Sequence, residues 1–453
     1  MIVTKFGGTS VEDAAAIRRA AEIVRGRLAR GPVVVVSALA GVTNALLAIG
    51  EQAARGQLIG AIRGVEALRE RHLEQASALL AGSAACDEIQ GELSATFDEL
   101  AHLVEALSVL GDATPRSLDA IAATGERLSS QLVAAAFRKM GLPAEHVDAR
   151  DVMVTDANFT HAEPLVDAIA ERSRQHVLPH VRSSRVPVIG GFIGATSERV
   201  TTTLGRGGSD YSASLVGAAL RADAIEIWTD VDGMLTADPR VVPDAKLIER
   251  IRFDEASELA SFGAKVLHPS AIAPAVRLGI PVFVLNSRRP EGEGTMIAFD
   301  APRRAVTAIA GKSPITLLKV RSPRMLLTEG FLRELFGMFE RHRTSVDVVA
   351  TSEVSVSVTV DDPAHLDALV VDLRALGDVA VERNRGLVAV VGGGLSDGST
   401  TMARALAALG TVRPHMLSLS ATGINLSVVV DAAQVAPVMQ RLHASFFGGE
   451  SAA

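Results

Sequence analysis

One cysteine, one tryptophan and one tyrosine are spread over 453 residues, and aromatic side chains make up only 4% of the chain. A single thiol, Cys86, cannot close an intrachain disulfide, so a reducing, cytoplasmic compartment is expected. With few rings and 48% hydrophobic residues, the cores must be aliphatic, which suits buried parallel strands under alanine-rich helices. Long apolar runs are missing too. A stretch such as PVVVVSALAG is too short to span a bilayer, and no signal peptide is expected ahead of the first strand. A net charge of −7 and the lack of any long basic block argue against nucleic acid as a partner. Also absent is the GxxxxGK[ST] phosphate motif. Yet residues 5–10, KFGGTS, have the layout of a phosphate turn: a short apolar strand, two glycines, then a helical pattern. Here the lysine precedes the glycines.

The length allows two or three domains. Through about residue 295, strands and helices alternate. IVTKF leads to a helix from about Glu12 to Ala29, and Val33–Ser37 is a strand. A long helical stretch covers about 44–110, and a further helix starts near Thr124. Short strands follow at Val186–Ile189, Ala224–Trp228 and Pro281–Leu285. This alternation predicts an α/β fold, a mainly parallel sheet with helices on both faces. Between 286 and 304 the chain turns polar and rich in Gly, Pro and Arg, which marks a boundary between domains 1–295 and 296–453. Beyond it a β-α-β-β-α pattern appears twice, at about 312–385 and 386–450, as a duplicated small α/β module. The second copy lacks a final strand, which Val306–Ala310 would supply by nesting.

Polar clusters sit where strands end, as ligand sites do in α/β sheets. TTTLGRGGSD (201–210) combines glycines that let backbone N–H groups approach an anion with a following helix N-terminus. Arg206 in its centre is a planar fork for a carboxylate or phosphate. A plain glycine-rich turn with a surface arginine would look the same, but a second glycine pair at Gly7-Gly8 argues for chemistry. SALAGVTN places Ser37 and Thr43 at the mouth of the second strand. TDVDGMLTADPR offers Thr229, Asp230 and Arg240, and FGAKVLHP offers Lys265. Glu126 stands near a helix start, where charge capping is an equal reading. His268 marks a turn, and Trp228, Tyr211 and Cys86 are read as packing residues. VAVVGGGLSDG (388–398) imitates a dinucleotide fingerprint, but Asp397 occupies the third glycine position, so no nucleotide is assigned there.

In order and context, KFGGTSV, SALAGVTN, TTTLGRGGSDYSA, IWTDVDG with TADPR, and FGAKVLHP resemble the aspartate kinases of the amino-acid kinase superfamily. The resemblance covers nearly the whole chain and implies an αβα-sandwich kinase domain followed by tandem ACT domains. RMLLTEGFL and TSVDVVATSEVSV look most like the monofunctional, lysine-sensitive type. The activity implied is ATP-dependent phosphorylation of the L-aspartate β-carboxylate, with Mg²⁺ held mostly by the ATP phosphates and no dedicated protein metal site. Carried over by position, Lys5, Gly7 and Gly8 bind the transferring phosphate, with Lys5, Gly8 and Asp210 at the reacting centre. Thr43 and Ser209 hold the reacting end of the substrate, Arg206 its α-carboxylate and Glu126 its α-amino group. Thr229, Asp230, Leu235, Arg240 and Lys265 belong to the nucleotide site. Leu235 stands where many relatives have tyrosine, so it offers only apolar packing.

The chemistry agrees with the residues. A carboxylate is already ionised at neutral pH, so no general base is needed, and no histidine constellation offers one. In the C-terminal half, the apolar stripe of GFLRELFGMFERHR is explained by core packing. The turns beside it resemble a lysine site built from Met325, Thr328, Phe331, Leu332, Ser345, Val346, Asp347 and Glu353, although ordinary capping would also explain them. The resemblance further implies a homodimer, or a dimer of dimers, joined through the ACT domains. The rival readings are a kinase of glutamate or N-acetylglutamate, and a catalytically silent amino-acid sensor.

Overall fold

IVTKF and PVVVV, β-branched almost throughout, form strands Ile2–Phe6 and Pro32–Val36, which pair in parallel with every residue of both buried. The computed structural model describes residues 1–205, 207–262, 269–326, 329–361, 365–395 and 399–449. The chain divides into two units, Met1–Met234 with Val266–Asp300, and Leu235–Lys265 with Ala301–Ala453.

In the first unit the sheet runs Ala144–Val147, Val186–Gly190, Pro32–Val36, Ile2–Phe6, Ala224–Thr229, Val282–Asn286, Thr295–Ala298. All neighbours are parallel except the last pair. Alternation along the first strand decides what each residue meets. Phe6 joins the aliphatic core with Val34, Val36, Leu46, Phe97 and Leu128. On the other face, helix Gly208–Leu220 packs so tightly that a Cβ at Gly217 would lie 2.7 Å from Ile225 and 3.6 Å from Val3. Lys5, two residues after Val3, therefore points to the helix side.

The helical stretch expected over about 44–110 is three helices, Val42–Ala54, Leu58–Leu80 and Ala84–Leu110. Gly56, Gly82 and Gly111 follow them with φ of 73°, 73° and 68°, the left-handed conformation that ends a helix. Trp228 and Cys86 pack as expected: Trp228 is fully buried against Phe6, and Cys86 lies against the same core. Ala144–Val147 and the hairpin Ile193–Ala195/Thr201–Thr203 were not legible beforehand, because three or four residues are too few for a period.

The second unit is built on an antiparallel six-stranded sheet, in order Val349–Ser352, Ser355–Val360, Ala308–Arg321, Asp378–Val391, Asn425–Asp431, Met416–Leu419. Its two central strands are each 14 residues long and serve both module cores. Ala308–Ala310 pairs with Ala389–Val391, whereas Leu317–Arg321 pairs with both Ser355–Thr359 and Asp378–Glu382. Residues just after Met234 also belong here. Ala237 and Val242 share a core with Val388, Val435, Met439 and Leu442, and the Thr236 carbonyl accepts from Ile309 N–H.

Among the described residues no helix is long and apolar enough to cross a membrane. At Gly377, a Cβ would run into the Arg321 carbonyl at the end of the neighbouring long strand. Gly377→Ala should therefore destabilise the second unit by about 1–3 kcal/mol, seen as an earlier urea midpoint; an unchanged midpoint would refute this close approach.

Candidate active site

Three helix N-termini point into one cleft above the strand tips of the first unit. They belong to helices Val42–Ala54, Thr124–Lys139 and Gly208–Leu220. Their unpaired N–H groups and positive dipole ends make such a place suited to anions. The cleft holds about 380 Å³ and is lined by Lys5, Gly8, Ser37 to Gly41, Thr43, Asn44, Glu126, Phe192, Gly205 and Gly207 to Asp210.

Close backbone approach forms its floor. Gly7 N–H bonds to the Trp228 carbonyl, and Ser37 N–H to that of Phe6, so the three central strands leave the sheet in step. A Cβ at Gly8 would sit 3.1 Å from the Ala38 carbonyl, and one at Gly191 would sit 2.8 Å from the Ser209 Cβ. Gly205 and Gly207 adopt φ of 73° and 74°, and Gly207 starts the helix that carries Ser209 and Asp210.

Charges are arranged against each other. Lys5 Nζ, on the buried first strand, lies 2.6 Å from Asp210 Oδ1 in the first turn of its helix. Glu126 is fully buried at the start of its helix, and its Oε2 has no hydrogen-bond partner. Burial pushes its carboxyl up to about 8, opposed by the Ala38 N–H and by the charge of Lys5. Glu126 stands in the first turn of its helix, as the helix-start reading has it, and its enclosed carboxyl also lines the cleft.

The cleft thus collects Lys5, Gly8, Thr43, Glu126, Ser209 and Asp210 from four separate stretches of chain; Gly7 lies just beside Lys5. Thr229 and Asp230 end the strand next to Lys5, and the Thr229 hydroxyl donates to Asp230 Oδ1. Leu235 and Arg240 belong to the second unit, where Leu235 bridges Leu247 and the Arg240 fork is held by Asp238 at 3.0 and 2.7 Å. Arg206, Lys265, His268, Thr328 and Asp397 lie outside the described residues. Reading the sequence missed Asn44 and Phe192 as lining residues. Asn44 could have been found beside Thr43; Phe192 follows a Gly-Gly pair with φ of 64° and carries no chemical signature of its own.

In the second unit the residues of the expected effector site spread over one module. Phe331 is buried, and Met325 and Val346 pack beside it on the same core, while Leu332, Ser345 and Glu353 are exposed. Asp347 faces Lys312, whose Nζ is 3.0 Å from Asp347 and 2.7 Å from Asp361. Burial raises the Asp347 carboxyl, Lys312 opposes this, and Asp361 adds to it. Among the described residues no three His, Cys, Asp or Glu side chains converge as a metal cluster.

The amino acid kinase family model matches residues 1–286. The lysine-sensitive aspartokinase 3 of Escherichia coli K12 is 38% identical, with 99% of each chain covered. A crystal structure of E. coli aspartokinase III with aspartate and ADP has a TM-score of 0.86 at 38% identity, covering 99% of this chain and 100% of that one. The form with lysine and aspartate gives 0.84 at 37%, covering 99% of both. The chain belongs to the amino acid kinase family, in its aspartokinase branch. Its activity is that of an aspartate kinase.

Between about pH 5 and 8 the folded chain keeps the Glu126 proton that the unfolded chain releases. Stability should fall through that window by up to about 1.4 kcal/mol per pH unit from this group, and level off above pH 8. Glu126→Gln removes this term, so its substrate-free urea stability should decline less than wild type from pH 5.5 to 8.5. Parallel profiles would contradict the buried carboxyl.

Proposed function

We propose that the chain transfers the γ-phosphoryl group of ATP to the β-carboxylate of L-aspartate, giving 4-phospho-L-aspartate, the first step of the aspartate-family amino-acid pathway. The observation that carries this reading is the cleft itself, where Lys5, two glycine turns and three helix N-termini meet a buried, unpartnered carboxyl. The chemical problem is bringing one anion to another. No proton has to be removed from the acceptor, so catalysis rests on positioning and charge neutralisation.

Lys5 bridges acceptor and γ-phosphate at the strand tip, with Asp210 holding its ammonium in place and Gly7 and Gly8 giving backbone room. The substrate's ammonium meets Glu126 and keeps that carboxyl ionised when bound. Arg206 takes the α-carboxylate, while Thr43 and Ser209 orient the reacting end. Thr229, Asp230, Leu235, Arg240 and Lys265 serve the nucleotide. A magnesium ion arriving on the nucleotide would be held mostly by the phosphates, with the second carboxylate oxygen of Asp210, the one not paired with Lys5, as a hard oxygen donor that fits it. When bound, magnesium neutralises phosphate charge; Asp210 would hold it.

Hydroxylamine should trap an acyl phosphate formed from ATP and aspartate. Lys5→Ala should lower kcat by about 10²–10³-fold in a variant that still folds but melts earlier, because Asp210 loses its buried partner; near-normal turnover would refute the role of Lys5.

Residues 1–295 serve as the catalytic domain and 296–453 as the regulatory one, although Leu235–Lys265 pack within the second compact unit, and the protein works as a cytoplasmic homodimer or dimer of dimers through its ACT modules. L-Lysine is the feedback inhibitor, taken up by Met325, Thr328, Phe331, Leu332, Ser345, Val346, Asp347 and Glu353. The similarity to a lysine-sensitive relative supports this. Millimolar L-lysine should depress activity, and a response to threonine alone would overturn lysine control.

A further inference from the structure

Asp119 is 1% exposed, yet it belongs to none of the motifs described above. It sits on helix Pro115–Ala122, which continues through Ala123 into the helix bearing Glu126. Its carboxylate accepts three hydrogen bonds from distant segments. Thr203 donates twice, from its N–H at 3.0 Å and from its hydroxyl at 2.6 Å, and Thr160 N–H donates at 2.9 Å. A buried carboxylate is costly unless it is bonded in this way, so the three donors and Asp119 hold one another in place.

Thr203 is the last residue of its strand, two before Gly205, where the glycine-rich wall of the cleft begins. Thr160 has φ of 71°, a conformation disfavoured for a β-branched residue. Its neighbour His161 is pressed on Gly205: a Cβ there would lie 2.7 Å from the His161 ring and 3.3 Å from the Thr160 carbonyl. Ala162 N–H closes the arrangement by bonding to the Thr203 carbonyl at 2.9 Å. One carboxylate therefore joins the segment leading to Glu126, the strand leading to Gly205, and the loop that packs on Gly205.

We infer that Asp119 is a positioning residue for the acceptor. It sets the spacing between Glu126 on one wall of the cleft and the Gly205–Gly208 turn on the other. It touches neither substrate, and the residues around Thr229 are not among its partners. Loss of its bonds loosens the acceptor side, whereas Lys5 and Gly8 keep their place on the first strand and its turn. The inference rests on the reading of this cleft as the aspartate site.

The test compares full-length Asp119→Asn and Thr203→Val with wild type in steady-state kinetics, with thermal melts alongside. Asp119→Asn keeps the volume but turns an N–H toward the Thr donors. Thr203→Val keeps the shape and removes only the 2.6 Å bond. Asp119→Asn should raise KM for aspartate about tenfold or more, with kcat within about threefold and KM for ATP within about twofold. Thr203→Val should move KM for aspartate the same way by about threefold, and it decides the matter if Asp119→Asn does not fold. An unchanged KM for aspartate in a folded variant, or an equal rise in KM for ATP, overturns the inference. Failure of wild type itself to phosphorylate aspartate is a different result, one that removes the reading of the cleft.

Discussion

Lys5 and Asp210 lie 205 positions apart in the chain and meet at 2.6 Å, with 10% and 14% of their side chains exposed. An ammonium at the tip of a buried strand cannot be left without a counter-charge, and a carboxylate in the first turn of a helix supplies one that the helix dipole also favours. The pair ties the first strand to helix Gly208–Leu220. With that tie made, Gly8, Ser209 and the glycine turn before it surround a single space. The neighbouring carboxyl of Glu126 is under the opposite stress: it has lost water and gained too few donors, so it holds its proton. A cleft with one close ion pair and one acid lacking a counter-charge is prepared for a ligand that carries both signs.

The second unit applies the same rule of compensation to a different purpose. Two long strands run through the whole sheet, so the two modules share a hydrogen-bonded spine and not merely a linker. At one edge of it Lys312 stands between Asp347 and Asp361. Asp347 therefore already pairs with an ammonium of the same chain.

Much of the fold was legible because its elements announce themselves locally. IVTKF and PVVVV are rich in β-branched residues, and the apolar stripe of helix Phe331–Arg341 repeats at helical spacing, whereas the breaks at Gly56, Gly82 and Gly111 that divide the stretch 44–110 into three helices were not read in advance. Short elements were not legible, and neither was the sharing of the long strands, since nothing in Asp378–Val391 says that one strand closes one module and opens the next. In the cleft, glycine turns and flanking polar residues stood out, so Lys5, Thr43, Ser209 and Asp210 were found. Asp119 and Phe192 were not, because an aspartate in a helix and a phenylalanine after a strand look like any others.

Residue types and their order establish which chemistry the chain can offer: a lysine ahead of two glycines, a second glycine turn at a helix start, and an acceptor that needs no base. Those features are local, carried by residue type and by spacing of a few positions. Their electrical state and the distances between them come from the folded arrangement. Glu126 becomes a reluctant acid because distant segments at Ala38 and Gly190 are folded against it, and Asp119 becomes a tie because Thr160 and Thr203 are folded onto it. Desolvation and long-range hydrogen bonding depend on what surrounds a group in space, and order along the chain does not state that.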